Sequence, residues 1–390
     1  MQRVQAVLIV GLAVRMLHAQ IGPDLNARFE CPASSCWCDR VFSNESIELH
    51  SGIHYRTAHN LVTGEDQKLY LDEWLAPSAT ARPGALIIHG GGYSAGPYNG
   101  CSHARNMSSF AEQAMELARH GFAVVSIDYR CEGSLRPQDE FHPWFDAVED
   151  ARAAVRYMTA NAERLQLDPH RIMAFGGSAG AVTVAQLLHA LPEGTPMPAP
   201  VPPPPDECTL TLRKECPLPP FPLPKDFYEQ CLTCSRLHAA APICRPIARA
   251  AYCNGSHATA DLAQPGDAAT GGNITCGIAL SGALIPGSIA AKQVTANASS
   301  SAYLDFHGTN DTTVPYDWTN AHGSNITWGD AVDTKIWLDS HHAPNYLTSI
   351  PGAGHVPFGS LYQPPYYTTF FGFLREAMTL DKLKCPTAAH

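Results

Sequence analysis

The sequence predicts an α/β fold: a mostly parallel central sheet with helices on both faces, interrupted by one large insertion. Three observations predict it. From residue 85 onward short apolar runs alternate with helical periods, and that rhythm implies parallel pairing through right-handed crossovers. It stops at Pro192 and resumes near Ile278. Between Pro192 and Pro265 lie sixteen of the thirty-two Pro and six Cys (Cys208, Cys216, Cys231, Cys234, Cys244 and Cys253), and proline both fixes φ and removes a backbone donor.

In chain order, Arg3, an apolar stretch at residues 6–14 and a small-residue end at Ala19 read as a secretory signal over 1–19. A Cys-rich extension, 20–46, follows with Cys31, Cys36 and Cys38, whose partners spacing does not identify. The α/β domain is expected over 47–191 and 273–385, and the Pro- and Cys-rich segment 192–272 as a disulfide-stapled cap. Two alternating segments within 47–75, parted by a polar turn at 64–66, form an antiparallel hairpin. Residues 85–89, 122–127 and 171–175 are buried strands, and 108–120, 145–159 and 179–191 are helices. Beyond the cap come strands near 278–280, 303–306 and 346–350 and a closing helix at 367–378. Asp317 is expected one turn into a helix.

Composition narrows the partners. A net charge of -10, a pI near 5.9 and no run of Lys or Arg leave no electrostatic basis for binding nucleic acid or an anionic membrane. No segment after the signal approaches the roughly 18 apolar residues of a membrane span. Thirteen Cys, all beyond residue 30, and sequons at Asn44, Asn106, Asn254, Asn273, Asn297, Asn310 and Asn325 imply an oxidising, glycosylating route to a secreted protein. Thirteen is odd, so one thiol is left over or bonds another chain. Cys101 and Cys131, each just past a strand, are candidates to pair. Cys231-x-x-Cys234 with Cys244 and Cys253 also has zinc-ligand spacing, although disulfides suit the compartment better.

The chemistry-bearing residues sit where such a sheet places its site, beyond strand carboxyl ends. Gly176-Gly177-Ser178-Ala179-Gly180 follows a buried strand and opens a helix, the context in which a sharp turn lifts a serine hydroxyl above the sheet. His89-Gly90-Gly91-Gly92 follows the first strand, and glycines let N–H groups of this loop, with that of Ala179 after the serine, approach a developing oxyanion. A triad then needs an acid and a His in later loops. Asp311 follows the strand at 303–306, and Gly352-Ala353-Gly354-His355 presents the His. Asp305, Asp317 and Asp339 are the competing acids.

The set His89-Gly90-Gly91-Gly92, Asp128-Tyr129-Arg130, Asp168-Pro169-His170-Arg171-Ile172, Gly176 to Gly180, His307-Gly308-Thr309-Asn310-Asp311 and Gly354-His355 resembles the α/β-hydrolase esterases, in particular the carboxylesterase and feruloyl-esterase-like branch near the hormone-sensitive-lipase group. The likeness covers 68–190 and 276–378. It implies that Ser178 is the nucleophile, His355 the general base and then acid, Asp311 the group that orients the imidazole, and the N–H groups of Gly91, Gly92 and Ala179 the donors to the oxyanion. The implied substrate is a small-molecule or polymer-linked ester, with no metal or organic cofactor required. A serine peptidase on the same fold and a catalytically silent binding protein are the alternatives.

Overall fold

The structure is a computed structural model of the 390-residue chain, described for residues 29–32, 35–60, 65–78, 80–94, 104–131, 142–189, 274–284, 301–317, 330–340 and 343–386. The expected signal, the cap, Cys101, the Cys231 to Cys253 cluster and the sequons at Asn254, Asn273, Asn297 and Asn325 lie outside the described residues.

The hairpin expected from alternation forms as β1 (Glu48–Asn60) and β2 (Glu65–Leu75), paired antiparallel. Next come β3 (Arg82–Ile88), α1 (Ser108–Arg119), β4 (Ala123–Ile127), α2 (His142–Ala160) and the short α3 (Ala162–Leu165). β5 (Leu167–Gly177) runs into α4 (Ala179–His189). After the insertion come β6 (Ile274–Leu280), β7 (Ala302–Gly308), α5 (Ala331–Ser340), β8 (Asn345–Ile350), α6 (Phe358–Leu361) and α7 (Tyr366–Ala377). The eight strands make one sheet in the order β1-β2-β4-β3-β5-β6-β7-β8. Every pair from β4 to β8 is parallel.

The central strands read as continuous apolar runs because both sheet faces are buried. Leu86, Ile88, Val125, Ile127, Ile172 and Ala174 face Trp144 and Val155 of α2 and Val184 of α4. Their neighbours Ala85, Ile87, Val124, Met173 and Phe175 face Leu117 of α1 and Phe370, Phe373 and Leu374 of α7. A side chain as fully buried as Phe175 contributes about 2–3 kcal/mol. The two helical layers therefore clamp the sheet and fix where its carboxyl ends emerge.

Three expectations change in detail. β5 starts at Leu167 rather than residue 171: a register shift between Arg82 and Gly84 absorbs Asp168-Pro169, where the Asp168 carboxylate accepts the His170 N–H at 3.0 Å. Asp317 lies in a bend that follows turns at 312–315, not in a helix. The helix α5, absent from the periodicity, carries Lys335 and Asp339 as an exposed i,i+4 pair at 2.9 Å. Cys131 is disulfide-bonded, and its partner lies outside the described residues.

The N-terminal Cys-rich segment is stapled within itself by Cys31–Cys38 and to the far end of the chain by Cys36–Cys385, 349 residues apart. Trp37 packs edge-on to Phe122, and Phe29 to Phe373 and Tyr346, so the extension completes the α1/α7 layer. Cys276, fully buried in β6, is the free cysteine among the described residues. Asn44 and Asn106 are exposed. No described helix is long and apolar enough to cross a membrane.

Candidate active site

The turn between β5 and α4 consists of Ser178 alone, held at φ 55°. A non-glycine residue pays about 1–2 kcal/mol for that left-handed conformation, so the surroundings must hold it. The Ser178 N–H donates to the Leu280 carbonyl at 3.0 Å, and its own carbonyl accepts the Val182 N–H at 3.0 Å. Gly176 and Gly180 make the turn sterically possible. A Cβ on Gly176 would overlap the Gly180 carbonyl, and one on Gly180 would overlap the carbonyls of Ile88 and His89.

Two further loops converge on this serine. Asp311 follows β7, and its Oδ1 accepts the N–H groups of Thr313 (2.9 Å) and Val314 (3.1 Å). His355 follows β8. The two loops are sewn together: Thr309 N–H donates to the Ile350 carbonyl at 3.1 Å, Asn310 N–H to Ala353 at 2.9 Å, and Gly352 N–H to Thr309 Oγ1 at 2.9 Å. His355 Nδ1 then meets Asp311 Oδ2 at 2.8 Å while Nε2 meets Ser178 Oγ at 2.8 Å. With Nδ1–H donating to the carboxylate, Nε2 presents its lone pair to the serine hydroxyl.

Burial grades along this chain. Asp311 is fully buried, His355 a quarter exposed and Ser178 half-buried, so a substrate reaches the hydroxyl and imidazole but water does not reach the acid. Burial by itself would raise the Asp311 carboxyl. The hydrogen bond and charge of His355, the charge of His307 and the Ser281 hydroxyl outweigh it and hold the group below its ordinary value. Asp311 is an anion in position to orient an imidazole.

The 89–92 loop lies against the elbow: a Cβ on Gly90 would press on the Gly177 carbonyl and Ser178 Cβ. Gly91 and Gly92 take φ 115° and 63°, and Gly91 closes a turn by accepting the Ser94 N–H at 3.2 Å. Their N–H groups, with that of Ala179 at the start of α4, are the candidate oxyanion donors. Sequence reading missed what holds this loop. Tyr93 donates its hydroxyl to the Ala179 carbonyl at 2.6 Å, and Tyr129 stacks on His89 at 4.2 Å between centroids. Burial pushes His89 down to about 4, so this imidazole is neutral.

The competing acids are elsewhere. Asp305 is buried in β7 against His307 at 2.9 Å, Asp339 is exposed and paired with Lys335 on α5, and Asp317 lies in the bend. Asn310 is exposed, and its amide donates to the Gly352 carbonyl at 3.4 Å beside the His355 loop. Ser281, at φ 62°, was also missed; its Oγ accepts the Val356 N–H at 3.0 Å and so ties the His355 loop to the end of β6. The parity of Asp305-x-His307 on one strand was the available signal for that buried pair.

A family model described as BD-FAE matches residues 71–194, which holds the glycine loop and the elbow. The chain is 34% identical over 117 residues to the AB hydrolase superfamily protein C1039.03 of Schizosaccharomyces pombe, covering 29% of this chain and 30% of that protein. It is 34% identical over 108 residues to the carboxylesterase NlhH of Mycobacterium tuberculosis (27% and 29%) and 27% identical over 162 residues to gut esterase 1 of Caenorhabditis elegans (41% and 28%). The chain spans under a third of the length of these curated relatives. Among solved structures, a truncated carbohydrate esterase from gut microbiota aligns at 17% identity and TM-score 0.48, over 87% of this chain and 98% of that one. Thermogutta terrifontis esterase 2 phosphorylated by paraoxon aligns at 16% and 0.45, over 87% and 95%.

Proposed function

We propose that this chain, whose sheet order, elbow and loops are those of the α/β-hydrolase fold, is a secreted serine esterase that cleaves carboxylic esters through an acyl-enzyme on Ser178. The observation that carries the reading is the unbroken hydrogen-bonded chain from Ser178 through His355 to Asp311 at 2.8 Å for each link, below a glycine loop that can receive an oxyanion.

The chemistry follows from the geometry. His355 Nε2 takes the hydroxyl proton as Ser178 Oγ attacks the ester carbonyl carbon, and Asp311 stabilises the imidazolium that forms. The carbonyl oxygen, now an alkoxide, accepts the N–H groups of Gly91, Gly92 and Ala179, each worth about 10²–10³ in rate. Collapse breaks the bond to the alcohol, which leaves with the His355 proton. Water then attacks the acyl-enzyme carbon, giving one proton to His355, and the second collapse releases the acid and restores the Ser178 hydroxyl.

Secretion is supported by the disulfides Cys31–Cys38 and Cys36–Cys385 and by bonded Cys131, since such crosslinks persist in oxidising compartments. Exposed Asn44 and Asn106 are the glycan acceptors among the described residues, whereas Asn310, whose amide bonds the Gly352 carbonyl beside the His355 loop, stays unglycosylated. Segment 192–272, inserted between α4 and β6, is the element we assign to ester selection. The reading is tested with a panel of acetyl, long-chain and hydroxycinnamoyl aryl esters beside aminoacyl amides. Ester turnover that disappears in Ser178→Ala supports it, and amide cleavage without ester cleavage would make the protein a peptidase.

A further inference from the structure

We infer that His307, a second imidazole that no step above uses, carries a proton on both ring nitrogens in the resting protein and acts as the positioning residue for Asp311. The assignment starts from hydrogen-bond bookkeeping. His307 is fully buried; its Nε2 lies 2.9 Å from the Val314 carbonyl and its Nδ1 2.9 Å from Asp305 Oδ2. A carbonyl oxygen only accepts, so Nε2 must be an N–H donor. Nδ1 faces a carboxylate whose other oxygen, Oδ1, already accepts the Gly282 N–H at 3.1 Å. The pair therefore holds one proton between them. Imidazole is ordinarily the stronger base, with values of about 6.5 against about 3.9.

The surroundings favour the imidazolium. Asp311 Oδ2 lies 3.5 Å from Nε2, so His307 sits between two carboxylates. The aromatic ring of Tyr316 stands edge-on at 5.9 Å, its hydroxyl bonded to Ser349 of β8 at 2.6 Å. Tyr303 flanks Asp305 on the same strand, and the charges of Asp317 and Asp330 act on Tyr316. Burial opposes a charge on His307 and also raises the Asp305 carboxyl, yet the charge and hydrogen bond of Asp305, the Val314 carbonyl and Asp311 together lift His307 above an ordinary imidazole, and the Gly282 N–H on Asp305 Oδ1 favours the carboxylate form of its partner. Val314 closes the ring: its N–H binds Asp311 Oδ1 while its carbonyl accepts His307 Nε2–H. One side chain thus fixes the turn that aims Asp311 and places a positive charge behind it.

That charge has a consequence for His355. A cation behind Asp311 competes with His355 for the same carboxylate oxygen, which lies 3.5 Å from His307 Nε2 and 2.8 Å from His355 Nδ1. The direct test is ¹⁵N NMR of histidine-labelled protein between pH 6 and 9. We expect one imidazole that keeps both nitrogens protonated above the ordinary imidazole range, its signal lost in His307→Gln or, should that variant not fold, altered in Asp305→Asn. Imidazoles that are all neutral above that range would overturn the inference. The kinetic arm rests on the esterase reading: in His307→Gln or Asp305→Asn the acid limb of the kcat/KM profile for an aryl acetate moves up by about one pH unit. A rate loss with an unmoved limb would reduce His307 to a packing residue. Wild-type protein that shows the imidazolium but turns over no ester would overturn the esterase reading and leave the assignment of His307 supported.

Discussion

Two clusters of buried carboxylates lie on either side of the sheet centre, and they differ in the basic side chain that answers them. At the β2/β4 side Arg105 joins Asp72, at 2.8 Å, to Asp128. Asp72 Oδ1 also accepts the Ser51 hydroxyl and the Gly52 N–H, each at 2.8 Å. At the β7/β8 side Asp311 is answered by His355 and His307. Burying a carboxylate is costly in both places and is offset the same way, by an opposite charge and by N–H donors. A guanidinium cannot release its proton near neutrality, so the first cluster is fixed. An imidazole can, so the second can do proton transfer. Exposure follows the same division: Arg105 is sealed in, while His355 opens to solvent.

Substitutions sharpen that contrast. The largest effect is expected for Asp311→Asn, which keeps the fold but lets the wrong His355 tautomer form; the rate on an aryl acetate should fall by up to ~10⁴ with an unchanged circular dichroism spectrum. Near-normal turnover would remove Asp311 from the triad. Arg105→Met should do the reverse. It removes the guanidinium that Asp72 and Asp128 share in the interior, at a cost of about 3–5 kcal/mol in denaturant unfolding, while kcat of the folded protein stays within a few-fold. A smaller effect is expected at Glu116, which Arg40 binds at 2.7 Å and His120 approaches at 3.4 Å. Burial would raise this carboxyl, but those partners hold it down to about 2. A depressed folded value stabilises above the unfolded one and is lost as pH falls through it. Glu116→Gln should therefore cost on the order of 2–3 kcal/mol at pH 6, with the gap to wild type closing between about pH 4.5 and pH 2.

The hydrogen-bonded set Ser178, His355 and Asp311 was legible because each member occupies a short signal local in sequence: a serine between strand and helix, an acid just past a strand, and a histidine in a glycine loop. The parallel strands were legible for the related reason that burial on both faces leaves continuous apolar runs. What escaped depends on parity and on distance along the chain. Asp305 and His307 look like two ordinary strand residues until the sheet places both beneath Asp311. Tyr93 and Ser281 act through backbone groups of Ala179 and Val356, which no side-chain pattern encodes. Asp168-Pro169 hid the first residues of β5, since a proline normally ends a strand and here a register shift accommodates it. Cys36 gave no hint of Cys385.

The central claim is that Ser178 is a nucleophile activated by the folded site, and covalent labelling with a fluorophosphonate followed by peptide mass spectrometry tests it most directly. The account predicts a single phosphonyl adduct on the peptide containing Ser178 in native protein, and none in Ser178→Ala or in protein unfolded before labelling. An adduct on a different serine, or labelling that survives Ser178→Ala, would contradict it.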